Sequence, residues 1–287
     1  IESLLLDIRL GNPFTLSSVS EIVTRFIESL SISDDLVRHA LHSKDKPLDI
    51  PPHLLNVCVF ALEIGKGLLY GKEELEKLGM AAILHDIGMT KVPENILKKP
   101  GRLSKEEFDI VKRHPEEGAA ILKHLSGNNG VISEVIMQEH ERFDGTGYPK
   151  GLKGNEIHDF AFIIGIADIY EALTHHRFQR KNLLPMDSMQ EILLEERHSF
   201  PEKIIKALLA KLPVFPAGTL VRLSSQEIGV VISSDNTSPF RPTVEIILDP
   251  SGRKQRKDKI LNLKDSHLLY ITSLVSEEEI NFAKSQI

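Results

Sequence analysis

The chain has 287 residues, a formal net charge of −6 and a hydrophobic fraction of 41%. This length accommodates one large domain and a smaller one, and the negative charge argues against a binding surface for a nucleic-acid polymer. The single cysteine, Cys58, excludes disulfides within the chain and metal sites built from several thiolates. No apolar run approaches the ~20 residues of a membrane-spanning helix, so we expect a cytoplasmic protein without a membrane span.

The N-terminal residues carry helix signals but no chemical motif. A helix is predicted after Thr15-Leu16-Ser17-Ser18, with apolar residues at helical spacing as far as Leu30, and a shorter helix is predicted at 34–42. We expect residues 1–48 to form a helical N-terminal segment, a candidate remnant of a regulatory domain. Because the sequence begins at Ile1 instead of Met, we also expect it to be a fragment or a processed form.

Residues 49–212 predict an all-helical domain, because apolar residues recur there with helical spacing. The predicted helices cover residues 54–69, 73–87, 104–113, 115–125, 131–141, 159–173, 186–197 and 201–211. His53 lies in the first turn of the first helix, and Gly88 is the predicted C-terminal cap of the second. Ser104 and Glu107 predict a capping box at the start of the third.

The pattern changes over residues 213–287, which predict a small antiparallel β module closed by a helix at 276–285. Its three or four strands are expected in β-branched or apolar runs bounded by turn residues, at 219–223, 228–232, 243–248 and 268–271. We interpret the basic run 253–257 as a solvated hairpin. The predicted fold class is therefore mainly α, a helical bundle with a helical N-terminal segment and this β module.

Histidines and acidic residues recur on or beside the apolar helices of the central domain. His85 and Asp86 are adjacent at the end of the apolar run 81–84, and Glu139-His140-Glu141 ends a later helix. A lone histidine in such a place is more often structural than functional, but six residues in similar settings favour convergence on a metal centre: His53, His85, Asp86, His114, His140 and Asp168. Imidazole and carboxylate without thiolate suit Fe, Mn, Zn or Ni, and two metals sharing a carboxylate suit phosphodiester hydrolysis.

A glycine-rich loop at 144–151, Asp-Gly-Thr-Gly-Tyr-Pro-Lys-Gly, follows His140 almost directly. Such residues are typical of a surface turn, but the attachment to His140 predicts the rim of the metal pocket. Side chains suited there to a nucleotide base or phosphate are Arg142, Tyr148 and Lys150. A second basic group, which is either a solvated helix end or a phosphate contact, consists of Arg177, Arg180 and Lys181.

These segments resemble the HD-GYP domain, the subgroup of the HD superfamily of metal-dependent phosphohydrolases associated with bacterial cyclic di-GMP. The resemblance covers about residues 50–212 and is carried by His85-Asp86-Ile87-Gly88, His114-Pro115-Glu116-Glu117-Gly118, residues 140–149 and residues 167–173. It implies an all-α domain with two or three metals, commonly iron or manganese. It also implies hydrolysis of cyclic di-GMP to the linear dinucleotide or to GMP.

The resemblance implies a role for each matching residue. The implied metal ligands, with Asp86 bridging the metals, are His53, His85, Asp86, His114, Glu139, His140 and Asp168. The implied catalytic residues are Asp86 and Arg177. The implied substrate-binding residues are Arg142, Asp144, Gly145, Gly147, Tyr148, Pro149, Glu171, Arg177 and Arg180. The implied cofactors are two divalent metal ions, with iron favoured and manganese as the alternative.

The chain departs from the family pattern at several positions. Glu139 stands where the family usually has His, and a carboxylate there can ligate Fe or Mn but lowers the Lewis acidity. Met89 replaces a usual Lys, for which Lys91 is a candidate substitute. Glu171 replaces a usual Asp, and Gln179 replaces a usual Tyr.

The sequence therefore leaves two functions open, and they differ in whether the protein hydrolyses the nucleotide efficiently. The first is a binuclear cyclic di-GMP phosphodiesterase of bacterial second-messenger signalling. The second is a weak or inactive relative that serves as a cyclic dinucleotide receptor or a protein-interaction module. Hydrolysis of another phosphoester, a protein partner and a homodimer stay open. Asp49 stands in place of the Glu of three-metal variants, which favours two metals.

Overall fold

The computed structural model describes residues 1–42, 50–123, 130–175, 183, 185–234, 238–266 and 268–275. Within these ranges the side chains of His42 and of residues 255–258 are not described. The chain divides into two compact units, Ile1–Leu208 and Leu209–Ile287. The division at 48 and 212 expected from the sequence stays a prediction.

The first unit is helical, and its last helix continues as far as Lys211. The α-helices are α1 (Glu2–Leu10), α2 (Ser17–Leu30), α3 (Asp35–His42), α4 (Ile50–Gly67), α5 (Lys72–Leu84), α6 (Glu94–Leu97), α7 (Lys105–Val111), α8 (His114–Lys123), α9 (Gly130–Gln138), α10 (Asp159–Thr174), α11 (Pro185–Glu195) and α12 (Glu202–Lys211). Short 3₁₀ turns lie at Ile87–Lys91 and Gly154–Glu156. None of the helices in the described residues is long and apolar enough to cross a membrane.

Helices α4 and α10 form the centre of this unit. Each carries an unbroken run of buried residues, from Asn56 to Gly65 in α4 and from Phe160 to Ala167 in α10. A helix that is apolar on all sides belongs in a core, and α4 packs against both α5 and α10. Full burial of a side chain such as Leu62 contributes about 1.5–3 kcal/mol. This packing holds the first turn of α4 beside the second half of α10.

Among the helix boundaries that differ from the sequence-based prediction, three bear on the site. Helix α5 ends at Leu84 with His85 as its C-cap, so the prediction that it ends at Gly88 is wrong. Helix α8 begins at His114, one residue before the predicted start. Helix α9 ends at Gln138, so Glu139 and His140 lie beyond the helix. The candidate ligands His85, His114, Glu139 and His140 therefore lie at helix ends.

Gly88 has a packing role instead of the predicted capping role. A Cβ atom built on Gly88 would lie 1.9 Å from the backbone oxygen of His114 and 2.7 Å from the backbone nitrogen of Gly118. The 3₁₀ turn Ile87–Lys91 therefore lies directly against the start of α8. Only a residue without a Cβ permits this approach.

The second unit is a five-stranded antiparallel sheet in the described residues, ordered β4-β3-β2-β1-β5. Its strands are β1 (Leu220–Leu223), β2 (Ile228–Ser233), β3 (Thr243–Leu248), β4 (Lys254–Asn262) and β5 (Ile271–Leu274). In β3 the residues Val244, Ile246 and Leu248 are buried and alternate with partly exposed ones, as expected for a half-buried strand. The predicted fold class, mainly α with a small antiparallel β module, is confirmed.

The prediction of three or four strands is wrong, since the described residues form five. The additional strand is β4, and the basic run 253–257 lies where the hairpin between β3 and β4 enters this strand. The last strand starts at Ile271 instead of covering 268–271. The helix predicted at 276–285 lies outside the described residues.

Candidate metal centre

Within the described residues, two groups of candidate metal ligands lie in the helical unit. The ligand atoms of each group lie within 4.8 Å of one another, and the groups are His53, His85, Asp86 and His114, Glu139, His140. His53 comes from the first turn of α4, and His85 with Asp86 follows the end of α5. The second group joins the start of α8 to the turn after α9.

In the first group, the two histidines face one oxygen of Asp86. His53 Nε2 lies 3.7 Å and His85 Nε2 lies 3.8 Å from Asp86 Oδ2. His53 Nε2 also lies 3.4 Å from Oδ1 of Asp168, which α10 contributes. These nitrogens and oxygens surround a space of the size that a divalent ion needs, because metal–ligand bonds of about 2.0–2.2 Å separate neighbouring ligand atoms by about 3 Å.

In the second group, His114 Nε2 lies 3.1 Å from Glu139 Oε1 and 3.1 Å from His140 Nε2. The other oxygen of Asp86, Oδ1, lies 3.3 Å from His114 Nε2. Asp86 therefore presents one carboxylate oxygen to each group. A carboxylate in this position can serve two metals at once, and the bridging role expected from the sequence stays a prediction.

The partners of the ring Nδ1 atoms leave the Nε2 atoms available as ligands. His85 Nδ1 donates to the backbone oxygen of Ala82, and His114 Nδ1 donates to that of Val111, both at 2.8 Å. A carbonyl oxygen can only accept, so each Nδ1 carries the proton. In a neutral imidazole the lone pair is then on Nε2, and a hydrogen bond of this kind commonly orients a metal-binding histidine.

Two buried polar atoms support the fit of a metal. Within the described part of the chain, His85 Nε2 and Glu139 Oε2 are fully buried and have no hydrogen-bond partner. An unsatisfied buried polar group costs about 1–3 kcal/mol, so such atoms call for a ligand. Both belong to the two groups, and nitrogen and carboxylate oxygen are suitable donors for divalent metals.

The pKa shifts in the two metal-free groups show that their side chains stabilise positive charge. Burial lowers the pKa of His53, but its hydrogen bond to Glu171 and the nearby carboxylates outweigh this and raise the pKa to about 9. Burial likewise lowers the pKa of His114, and Glu139 and Asp86 raise it to about 9. Burial raises the pKa of Asp86, but the surrounding histidines more than compensate and hold it well below its usual range. Protons on His53 and His114 thus supply the charge that a metal would otherwise supply.

The predicted loop lies against the second group through Tyr148. Its ring stacks on that of His140, with centroids 4.6 Å apart and planes at 19°. The Tyr148 backbone nitrogen also donates to the His140 backbone oxygen at 3.1 Å. Burial raises the pKa of the Tyr148 hydroxyl, and Glu139 and Asp86 raise it further. The hydroxyl therefore stays neutral and can donate a hydrogen bond at the rim of the site.

Glu141 holds this loop in place. Its side chain is 1% exposed, and its two oxygens accept from the backbone nitrogens of Lys150 at 2.7 Å and Leu152 at 3.0 Å. Gly147 packs beneath, where a Cβ would lie 2.4 Å from the Cα of Glu141. The Tyr148–Pro149 peptide bond between these contacts is cis. The carboxylate of Glu141, the residue directly after the candidate ligand His140, thus fixes the conformation of the loop.

The remaining predicted substrate residues do not all face the site. Arg142 donates to the backbone oxygens of Glu139 and Glu141 and lies over the Phe200 ring, so its guanidinium supports the loop. Asp144 is exposed and accepts from the backbone and side chain of Thr146. Gly145 has a φ of +83°, a left-handed turn conformation that suits glycine.

Glu171 and the two arginines complete the set of predicted residues. Glu171 is 4% exposed, and its Oε2 lies 2.7 Å from His53 Nδ1. This places it behind a ligand histidine, and contact with substrate stays a prediction. Arg177 and Arg180, assigned to phosphate binding and for Arg177 also to catalysis, lie outside the described residues.

Sequence reasoning missed two residues next to the site. Lys112 lies with its Nζ 5.6 Å from the centre of the Tyr148 ring, two positions before His114. His175 lies behind Glu171, with Nδ1 at 3.6 Å from Glu171 Oε1. The spacing of four residues between Glu171 and His175 on a helix is the signal that could have identified this pair.

The model of the HD domain family matches residues 35–204, more than half of the chain. The chain belongs to the HD domain family. Its segment after His140 is of the HD-GYP type, so the family expected from the sequence is confirmed. The HD domain is a divalent metal-binding domain, and the two groups are its candidate ligands. The β unit matches a second family, the KOW domain associated with HD domain, over residues 220–283.

Relatives of this HD domain protein include phosphodiesterases. The chain is 28% identical over 263 residues to cyclic di-GMP phosphodiesterase PA4108 of Pseudomonas aeruginosa, covering 92% of this chain and 63% of that protein. It is 35% identical over 146 residues to 3'3'-cGAMP-specific phosphodiesterase 1 of Vibrio cholerae, covering 51% of this chain and 33% of that protein. The chain thus spans less than two thirds of the length of either relative.

A solved structure shares the fold of this HD domain protein. Bd1817, an HDG"Y"P protein from Bdellovibrio bacteriovorus, superposes with a TM-score of 0.60 at 18% sequence identity. The match covers 72% of this chain and 66% of that chain. This likeness supports the helical architecture around the two groups.

Proposed function

We propose that this HD domain protein is a metal-dependent phosphodiesterase that hydrolyses cyclic di-GMP in bacterial second-messenger signalling. The observation that carries the proposal is Asp86, whose two oxygens face separate sets of ligands at 3.3 to 3.8 Å. The names of the relatives support the substrate class, since one of them is a cyclic di-GMP phosphodiesterase.

The proposed ligands are His53, His85, Asp86, His114, Glu139, His140 and Asp168. Two divalent metal ions, with iron favoured and manganese as the alternative, would supply Lewis acidity and lower the pKa of a water molecule. The protein contributes the geometry: Asp86 holds the two groups in register, and the Nδ1 hydrogen bonds of His85 and His114 keep their Nε2 atoms directed inward.

The loop is proposed to hold the nucleotide at the rim. Tyr148 stacked on His140 offers a neutral hydroxyl donor, which suits an anionic phosphate oxygen. Lys112 adds a positive charge beside the Tyr148 ring. Arg177 and Arg180 are proposed to contact the phosphates, and Arg177 to assist the leaving oxygen.

The test is hydrolysis of cyclic di-GMP by protein purified anaerobically and supplied with Fe(II) or Mn(II), with products separated by chromatography. Asp86→Asn should lose activity and bound metal, whereas Asp159→Asn is the matched control. Asp159 lies in the first turn of α10 and pairs with Lys203 outside the site. Turnover by wild type and by Asp159→Asn, but not by Asp86→Asn, is the expected result. Wild-type protein that carries two metals without turnover would contradict the proposal.

A receptor function is the second candidate, and Glu139 favours it. This carboxylate is 1% exposed and lies 3.1 Å from His114 Nε2, so it adds negative charge where the family usually has a neutral ligand. Binding of cyclic di-GMP without hydrolysis would support this alternative. Turnover of 3'3'-cGAMP in preference to cyclic di-GMP would keep the phosphodiesterase and change its substrate. A protein partner or a homodimer stays a prediction.

A further inference from the structure

A chain of buried polar contacts runs from the metal centre to the N-terminal helices. His53 Nδ1 lies 2.7 Å from Glu171 Oε2, and the other oxygen of Glu171 lies 3.6 Å from His175 Nδ1. His175 Nε2 in turn lies 2.7 Å from the backbone oxygen of Ala40 in α3. Glu171 and His175 are 4% and 8% exposed. The contacts therefore join α4, α10 and α3 without passing through solvent.

The first and the last of these contacts are hydrogen bonds with a defined direction. The carboxylate of Glu171 accepts from His53, so the His53 Nδ1 carries a proton and its Nε2 faces Asp86 and Asp168. The Ala40 oxygen can only accept, so His175 donates to it through Nε2. Ala40 lies in the last turn of α3, where backbone oxygens lack helical partners, and histidine side chains commonly satisfy such oxygens.

The length of Glu171 matters to this arrangement. The resemblance to the HD-GYP pattern implies the shorter Asp at this position. The longer Glu171 side chain reaches Nδ1 of His53. An aspartate at 171 would withdraw the carboxylate by about one C–C bond, ~1.5 Å. That exceeds the tolerance of a 2.7 Å hydrogen bond.

We propose that Glu171 is a positioning residue that orients His53 for metal binding, and that His175, which donates to Ala40 in α3, packs against Glu171 from behind. The inference rests on the metal-binding part of the proposed function and assigns Glu171 a task other than substrate contact. Outer partners of this kind typically change metal affinity by 10–100-fold. The effect should be largest at the metal held by His53, His85 and Asp86, because Glu171 lies 2.7 Å from Nδ1 of His53.

The experiment measures Mn(II) binding to the metal-free 287-residue chain by electron paramagnetic resonance of the free ion, with elemental analysis of the saturated protein. Glu171→Gln and Glu171→Asp should each weaken one of two Mn(II) sites by 10–100-fold and affect the other less. His175→Gln should weaken the same site by a smaller factor. Glu63→Gln is the matched control, since Glu63 is also 4% exposed but pairs with Lys66, ten residues along α4 from His53 or about 15 Å.

A double-mutant cycle separates positioning from a general structural effect. His53→Ala removes the ligand that Glu171 orients, so Glu171→Gln should have no further effect on Mn(II) affinity in that background. An additional loss in the double variant would overturn the proposal, as would wild-type affinity in both Glu171 variants. Melting of the metal-free forms shows whether each variant is folded, and Glu171→Asp keeps the test open if the Gln variant is not.

This result is independent of the reaction. Wild-type protein that binds two Mn(II) ions but does not hydrolyse cyclic di-GMP would contradict the proposed function and leave the inference testable. Wild-type turnover with unchanged Mn(II) binding in the Glu171 variants would contradict the inference and leave the proposed function standing.

Discussion

The ring of Tyr148 stacks on the ring of His140 with 4.6 Å between centroids. One residue thus joins the glycine-rich loop to the second group of candidate metal ligands. Because the hydroxyl of Tyr148 has a raised pKa, it stays protonated at neutral pH. The stack and the hydroxyl can be tested separately.

Tyr148→Phe should keep the stack and remove the donor. We expect bound metal to be unchanged and kcat/KM for cyclic di-GMP to fall by roughly 10–150-fold, which corresponds to about 1.5–3 kcal/mol for a hydrogen bond to a charged group. Tyr148→Ala removes the stack as well and should lower kcat/KM further. Steady-state kinetics with metal analysis checks this, and equal activity of Tyr148→Phe and wild type would refute the assigned role.

Glu141→Gln should loosen the loop without removing metal. The amide can accept through one atom only, so one of the backbone donors at Lys150 and Leu152 is left facing an NH₂ group. The lost hydrogen bond should destabilise the ordered loop by about 1–3 kcal/mol. This should appear as a higher KM and as faster proteolysis within residues 142–152. Glu156→Gln is the control, because Glu156 is exposed and accepts from the Lys153 backbone nitrogen, away from Lys150 and Leu152. An equal KM and an equal rate of proteolysis in both variants would show that Glu141 does not hold the loop in place.

Gly88→Ala should destabilise the fold. The added Cβ would meet backbone atoms of His114 and Gly118, which cannot rotate away as a side chain would. We expect the free energy of unfolding to fall by at least about 1–3 kcal/mol, measured by urea unfolding of the metal-free protein. Gly130→Ala is the matched control, since a Cβ there has no atom within 4 Å among the described residues. A wild-type midpoint for Gly88→Ala would contradict the close approach.

Metal should stabilise the helical unit. A ligand that binds only the folded state adds about 2.7 kcal/mol at 100 times its Kd. Mn(II) should therefore raise the melting temperature of the chelator-treated protein by several degrees, and differential scanning calorimetry measures this shift. Asp86→Asn should show little or no shift. An equal shift in Asp86→Asn and wild type would place the stabilising ion elsewhere.

Local patterns were enough to predict the class of the fold and the family. Helical spacing of apolar residues predicted the helices of the central domain, and the adjacent His85 and Asp86 predicted a metal centre there. These signals depend on neighbours within a few positions, as do turns and caps. The misplaced end of α5 shows the limit, because Gly88 is also a common capping residue and its contact with His114 is not visible from spacing.

The charged strand β4 shows a second limit. Its basic start predicts a solvated hairpin, and only pairing with β3, as in the partners Glu245 and Ile260, identifies a strand that continues to Asn262. The extent of this strand depends on backbone pairing and not on local preference alone.

The sequence by itself determined that the chain is a mainly α protein of the HD domain family with a β module, because periodicity and motif are local properties. Tertiary structure decided which groups meet: the two oxygens of Asp86 point to different histidines, and Glu171 lies behind His53 at 2.7 Å, 118 residues away in sequence. Such distances follow from the packing of α4, α5, α8 and α10, which no spacing along the chain encodes.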